Sequence, residues 1–164
     1  MVIIVQYREE RDDNGIIHII SEEEVACPIC AGILKVIGSR GRGTIDITGN
    51  KETLIIRRLR CQTLTCRKIH HELPDRVIPY KRHCTETVEK IVNGDVDDVC
   101  CDFVTENRIR EWWNAMYIYL KGVLVSLEMQ YVGVFSPSPT PREMVRAVVN
   151  ANYWVHTRSA WMPG

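Results

Sequence analysis

The sequence predicts an α+β fold in which a β-rich N-terminal part precedes a helical part. Two close cysteine pairs, Cys27/Cys30 and Cys61/Cys66, stand 30 residues apart. Between and before them lie short runs of β-branched residues punctuated by Gly and Asn turn signals. From Thr85 onward apolar residues recur every three or four positions, the period of a helix. These observations divide the chain into a β-rich unit at 1–83, a helical region at 84–132, and a Pro/Ser connector, short helix and tail at 133–164.

Val2 to Tyr7 and Ile16 to Ile20 read as strands joined through acidic turn residues ending in Asn14-Gly15, a hairpin signal. Next comes CPICAG, in which Pro28 stiffens a turn and Gly32 is expected to supply a conformation that other residues resist. Strands are predicted at Leu34–Ser39, Thr44–Thr48 and Thr53–Arg60. The Gly-Arg-Gly of 41–43 and Thr48-Gly49-Asn50 serve as turns between them.

Close cysteine pairs at this separation are the spacing of a tetrahedral zinc site, each pair gripping one edge of the ion. Four thiolates close the shell and leave no position for chemistry, so Cys27, Cys30, Cys61 and Cys66 predict a structural zinc ribbon. The second pair is C-x₄-C, two residues wider than the usual knuckle. His70 or His71 could therefore replace Cys66. Adjacent histidines in a strand point to opposite faces, so only one of them can turn to the metal. The remaining thiols, Cys84, Cys100 and Cys101, read as core filling.

Thr85, Val88 and Ile91 predict a helix capped by Cys84 or Thr85 and ended by Asn93-Gly94. The acidic piece from Asp95 to Phe103 predicts one or two helical turns. Thr105 then caps a long helix from Glu106 to about Met129, with Ile109, Trp112, Trp113, Met116, Leu120, Val123 and Leu127 on its apolar side. Helix, short helix and capped longer helix is the outline of a helix-turn-helix, which would present Glu106, Asn107, Arg108 and Arg110 to base edges. Pro141 to Val149 predicts a short helix. The tail is expected to pack over the long helix, with His156 and Arg158 as a surface pair.

The formal net charge is zero, yet the charge is segregated. Residues 1–24 hold two arginines against seven acids, whereas residues 35–82 hold twelve Lys or Arg against four acids. A basic segment is the footprint that a phosphate backbone attracts. Arg40, Arg42, Arg57, Arg58, Arg60, Lys68, Lys81 and Arg82 are the candidates for phosphate contact, and Asn107, Arg108 and Arg110 for base reading. Four acids and no base between Asp95 and Asp102 oppose DNA on the helical side. No apolar run reaches the roughly 18 residues of a membrane span. The odd cysteine count and the absence of a signal-like start predict a reducing cytoplasm.

RRLRCQTLTCRKIHHELPDRVIPYKRH resembles the zinc finger that opens many bacterial insertion-sequence transposases. There an arginine-rich strand meets C-x₄-C, then a Pro-Tyr-basic segment, then a helix-turn-helix. CPIC, IRRLRC, IHHELPD and PYKRH together resemble, more closely, an uncharacterised bacterial domain family of short proteins. TENRIREWW at 105–113 approximates its helix start. The likeness spans residues 27 to about 120. It implies zinc binding by the four cysteines and DNA contact through the basic strand and helices. It does not imply catalysis, because the ribonuclease-H-like cutting domain has no room in 164 residues.

The leading expectation is a zinc-binding, DNA-binding protein without catalytic activity, the targeting part of a mobile-element system or a regulator. A zinc-ribbon adaptor that docks a protein partner or a second copy is the alternative. A metal-dependent hydrolase built from His70, His71, Glu72 and Asp75 is the third reading. It lacks the i, i+4 histidine spacing that places two imidazoles around a general base.

Overall fold

A computed structural model describes residues 1–130 and 138–155. The expected surface pair His156/Arg158, most of the tail and much of the connector lie outside the described residues. The chain is mixed α+β, with a curled six-stranded sheet followed by three helices.

The strands are β1 (Val2–Ile4), β2 (Tyr7–Arg11), β3 (Ile17–Ser21), β4 (Leu34–Ile45), β5 (Lys51–Cys61) and β6 (Ile69–Pro74). The first stretch is two strands rather than one. β1 runs parallel to β6, and β2 pairs antiparallel with β3. The break falls at Val5 and Gln6, whose N–H groups both donate to the Glu23 carboxylate at 2.5 and 2.8 Å. A carboxylate that takes two backbone donors ends the ladder there and turns the chain. The Asp12–Gly15 turn closes the β2–β3 hairpin, with Asp12 accepting from the N–H groups of Asn14 and Ile16.

β4 corrects the expectation of two strands separated by a Gly-Arg-Gly turn. It is one strand of 12 residues, paired with β5 from Leu34↔Cys61 to Ile45↔Lys51. Gly41 and Gly43 lie extended within it, opposite Ile55 and Thr53. A β-bulge between Val36 and Gly38 interrupts the register, and Gly38 there holds φ 144°. A side chain would resist that angle. The reversal comes later, at Asp46–Asn50, where the Asp46 carboxylate gathers the Thr48 hydroxyl and the Asn50 N–H at 2.8 Å each.

β5 is the central strand. β4 flanks it on one side, while β3 and β6 share the other, β3 pairing near Leu54 and β6 near Leu59. Its burial switches face along its length. Leu54 and Ile56 are buried toward one side, and Leu59 and Cys61 toward the other. The first pair joins the main core with Ile3, Ile17, Val88, Trp113, Leu120 and Val148. The core therefore runs continuously across the junction between strands and helices.

The helices are α1 (Thr85–Asn93), α2 (Phe103–Gln130) and α3 (Pro141–Asn150). α1 starts after Cys84, whose side chain makes no capping bond, and ends where the Asp95 N–H reaches Lys90 O at 2.9 Å. The segment 94–102 forms turns and no helix. α2 begins three residues before the expected Glu106. Asp102 supplies the cap, accepting from the Thr105 N–H at 2.8 Å and from the Thr105 hydroxyl at 2.9 Å. A carboxylate outcompetes a hydroxyl for exposed amides at the positive end of a helix. The link of residues 94–102 is also longer than the three or four residues that join a helix-turn-helix. Cys84 is buried, but Cys100 is exposed and Cys101 half-buried, so only the first of these thiols fills core. The Cys100 N–H bonds Ile47 O, which ties the segment to the β4–β5 turn.

α3 begins with a capping box between Thr140 and Glu143 and with Pro141 in its first turn. Its last residue acts on the sheet. The Asn150 side-chain amide accepts from the Ile3 N–H at 2.7 Å and donates to Ile3 O at 2.9 Å. One side chain thus stands in for the missing neighbour of edge strand β1. The tail returns to α2 as expected as far as Trp154, which is buried in the core. Tyr119 of α2 donates its hydroxyl to Tyr153 O. Replacing Asn150 with Ala leaves both Ile3 groups unpaired, and should lower unfolding free energy by about 1–3 kcal/mol in urea titration.

Candidate metal centre

The hairpin of β4 and β5 explains why two distant cysteine pairs meet. The first pair ends just before β4, and the second begins where β5 ends. The Leu34↔Cys61 register lays the two loops side by side. All four sulfurs lie within 4.8 Å of one another. Cys27 Sγ is 3.7 Å from Cys66 Sγ, and Cys30 Sγ is 3.4 Å from Cys61 Sγ. A tetrahedron with metal–sulfur bonds of about 2.3 Å has edges of about 3.8 Å. The four thiols therefore fit one metal ion, and a soft all-sulfur set suits zinc or iron.

Both loops are built alike. The residue after the second cysteine of each pair, Ala31 and Arg67, takes a left-handed φ of 55° and 50°. In the first loop the Ala31 N–H bonds Cys27 O and the Cys27 N–H bonds Gly32 O. In the second, Thr63 takes the place of Cys27, its carbonyl accepting from the Cys66 and Arg67 N–H groups at 3.0 and 3.1 Å. Cys61 stands two residues earlier and closes its loop from N–H to Lys68 O at 2.9 Å. The extra width of C-x₄-C is thus taken up by a longer hairpin outside a turn of ordinary size.

Gly32 is needed for space, not for an unusual φ. A Cβ there would lie 2.1 Å from Thr63 Oγ1, 3.1 Å from Cys61 Sγ and 3.2 Å from Cys30 Sγ. The Thr63 hydroxyl, 3.6 Å from Cys30 Sγ, is the first of the groups that pull the Cys30 thiol down to about 6, followed by the Gly32 N–H and Cys61. The Lys68 N–H favours the Cys66 thiolate. Burial and the hydrogen bonds to Cys27, Cys30 and Cys61 outweigh it and leave that thiol at about 11. Thiols that take a metal ion do so as thiolates, giving up their protons on binding.

Neither histidine enters the group of four. His70 is buried with its Nε2 3.3 Å from Cys27 Sγ, the position of a hydrogen-bond partner to a ligand. Burial, then the Met1 amine and His71, hold His70 down at about 4. His71 belongs to the opposite face, level with Arg58. Burial, then Arg40, lowers it as well.

The hydrolytic set does not converge either. Glu72, 1% exposed, takes two hydrogen bonds from Arg57 at 2.5 and 2.7 Å. Asp75 accepts from the Tyr7 hydroxyl at 3.1 Å and from Arg142 at 3.3 Å. Among the described residues the four cysteines are the one group of His, Cys, Asp or Glu close enough to hold an ion.

The basic residues separate into two kinds. Arg57 is committed to Glu72, and Arg42 to the carbonyls of Ile78 and Lys81. Lys81 Nζ lies 4.1 Å from the Trp112 ring centre, and Arg110 pairs with Glu106 one turn away. Arg40, Arg58 and Arg60 share one face of the β4–β5–β6 sheet with Lys35, a residue that sequence reasoning passed over. In register, Arg60 stands between Lys35 and Ile69, Arg58 stands between Gly38 and His71, and Arg40 opposes Ile56. Lys68, Arg82 and Arg108 are exposed, and Asn107 is half-buried. Lys35 becomes visible only through the bulge, which sets its face. Thr63 and Gly32 carry no signal beyond the unusual width of the second pair.

Residues 27–112 match the family described as Domain of unknown function (DUF6431). The chain belongs to this family. The matched region runs from the first cysteine to Trp112, and so holds all four clustered cysteines together with β4, β5, β6 and α1. The match carries no link to transposase fingers. No curated protein matches the chain, and neither does any solved structure. No helix among the described residues is long and apolar enough to cross a membrane.

Two outcomes check this site. Gly32→Ala should lose metal to a chelator faster than the parent chain, and the added Thr63→Ala should recover part of the loss, read by metal release. Arg57→Ala uncovers a buried carboxylate. It should cost about 3 kcal/mol in unfolding free energy, the low end for a buried pair because Arg57 is one-third exposed.

Proposed function

We propose that this chain is a zinc-dependent, non-catalytic DNA-binding protein whose sulfur clasp holds a basic sheet face rigid against the phosphate backbone. The ion completes a closed all-thiolate shell and so serves structure. The observation that carries the reading is the alignment of Lys35, Arg40, Arg58 and Arg60 on one face, with no ion pair to any of them among the described residues. Gly38, which has no side chain, lies between Lys35 and Arg40 along β4. Positive side chains without carboxylate partners are free to neutralise phosphates, and the cations condensed on the duplex that they displace drive backbone binding. Contact of this kind positions a duplex without reading its sequence.

The helical contribution is smaller in this reading than a helix-turn-helix would make it. Arg110 is engaged by Glu106, and the acids of 95–102 stand in front of α2. The resemblance to transposase fingers agrees with a targeting role.

A protein-docking adaptor is the second reading, favoured by Ile29, Ile33 and Leu64 on the metal loops. These are 48%, 79% and 86% exposed. Exposed apolar loop tips around a rigid metal site form a surface that a protein partner covers.

Joint replacement of Arg58 and Arg60 by Glu should weaken binding to a DNA duplex at least tenfold in fluorescence anisotropy and flatten its salt dependence. Unchanged affinity in that variant, or binding indifferent to salt, would refute the phosphate-face reading. Capture of a protein through Ile33 and Leu64 with no DNA affinity would favour the adaptor.

A further inference from the structure

α2 carries apolar residues on two opposite sides, and among the described residues one of them is buried. Trp113, Met116, Leu120, Leu124 and Leu127 are buried in the core. Diametrically across the helix run Ala115, Ile118, Gly122, Val125 and Met129, at alternating spacings of three and four. Ile118 is 76% exposed, Val125 51% and Met129 80%, and among the described residues nothing lies within 4 Å of where a Gly122 Cβ would stand. Such alternation is the seam of a coiled coil, in which knobs of one helix enter holes of another. A contiguous apolar stripe left exposed on a helix marks a surface that a partner covers.

The charges flanking the seam select the occupant. With Ala115, Gly122 and Met129 at one core position and Ile118 and Val125 at the other, Lys121 and Glu128 both occupy the position just before the first. The equivalent positions on the other flank hold Tyr119 and Ser126, which are uncharged. Two parallel helices would set Lys121 and Glu128 against that uncharged flank. Two antiparallel copies bring like positions together, so Lys121 of each meets Glu128 of the other, twice by symmetry. Gly122 then falls near Val125 of the second copy, where the lack of a side chain lets the helices approach closely. Within one copy Lys121 Nζ lies 5.9 Å from the Tyr117 ring centre, on the same flank.

We propose that this chain self-associates through the outer face of α2 as an antiparallel two-helix seam, registered by reciprocal Lys121–Glu128 pairs. The inference is independent of the DNA-binding reading, because neither the seam nor its flanking charges belong to the basic sheet face.

Sedimentation equilibrium of the full zinc-loaded chain tests it. The parent should show a monomer–dimer equilibrium. Ile118→Glu, which is exposed and leaves the core untouched, should abolish it with unchanged thermal stability of the monomer. Lys121→Glu alone should weaken dimerisation about tenfold by turning two attractive pairs repulsive. Lys121→Glu with Glu128→Lys should restore it. A parent chain that stays monomeric at 100 μM, or a double charge swap that fails to recover association, would overturn the proposal.

Discussion

Strand β5 has to bury opposite faces at its two ends, and the architecture follows from that requirement. At Leu54 and Ile56 its apolar side meets the helices, while at Leu59 and Cys61 it meets the metal loops. Strand twist makes such a switch feasible within 11 residues. β3 and β6 divide one flank of β5 between them, so each half has its own neighbour. The side chains left outside at the metal end, Arg58 and Arg60, are forced outward by the same twist. The basic face and the sulfur site are two sides of one strand segment.

The sulfur clasp lies at the thin end of the sheet, away from the apolar core. There the chain has few buried hydrophobic contacts to hold its loops, and four thiols converge instead. In small metal-bound domains ion binding and folding are one equilibrium, on the order of 10–16 kcal/mol for zinc. Here the core with α1, α2 and α3 is separate from the clasp, and it keeps its own contacts. Loss of the ion would therefore loosen the β4–β5–β6 end, which is the end that bears Arg58 and Arg60. Buried Glu72 couples the two further, because its partner Arg57 lies between the core half and the metal half of β5.

Position along the strand decides which arginines are available. IRRLR offers three arginines of identical chemistry. Arg57 turns inward to a carboxylate, while Arg58 and Arg60 turn outward to solvent, a division set by a two-residue period. Arg42 looks equally free in sequence, but it clamps the loop at 78–81 through two carbonyls.

The amino-acid sequence alone determined the α+β order, the two cysteine pairs as candidate ligands with a histidine as an alternative to Cys66, and helices near 85–93 and 141–150, because each rests on local spacing or a local cap. Tertiary structure decided the rest. Gly41 and Gly43 lie extended in β4 because β5 pairs along its whole length, and His70 stands behind Cys27 because β6 closes on β5. Asp102 caps α2 in place of Thr105 because a carboxylate is the stronger acceptor for exposed amides. Lys35 joins Arg40, Arg58 and Arg60 only because a bulge at Gly38 resets the register. Local chemistry fixes what a segment can be, while long-range pairing fixes which way its side chains face.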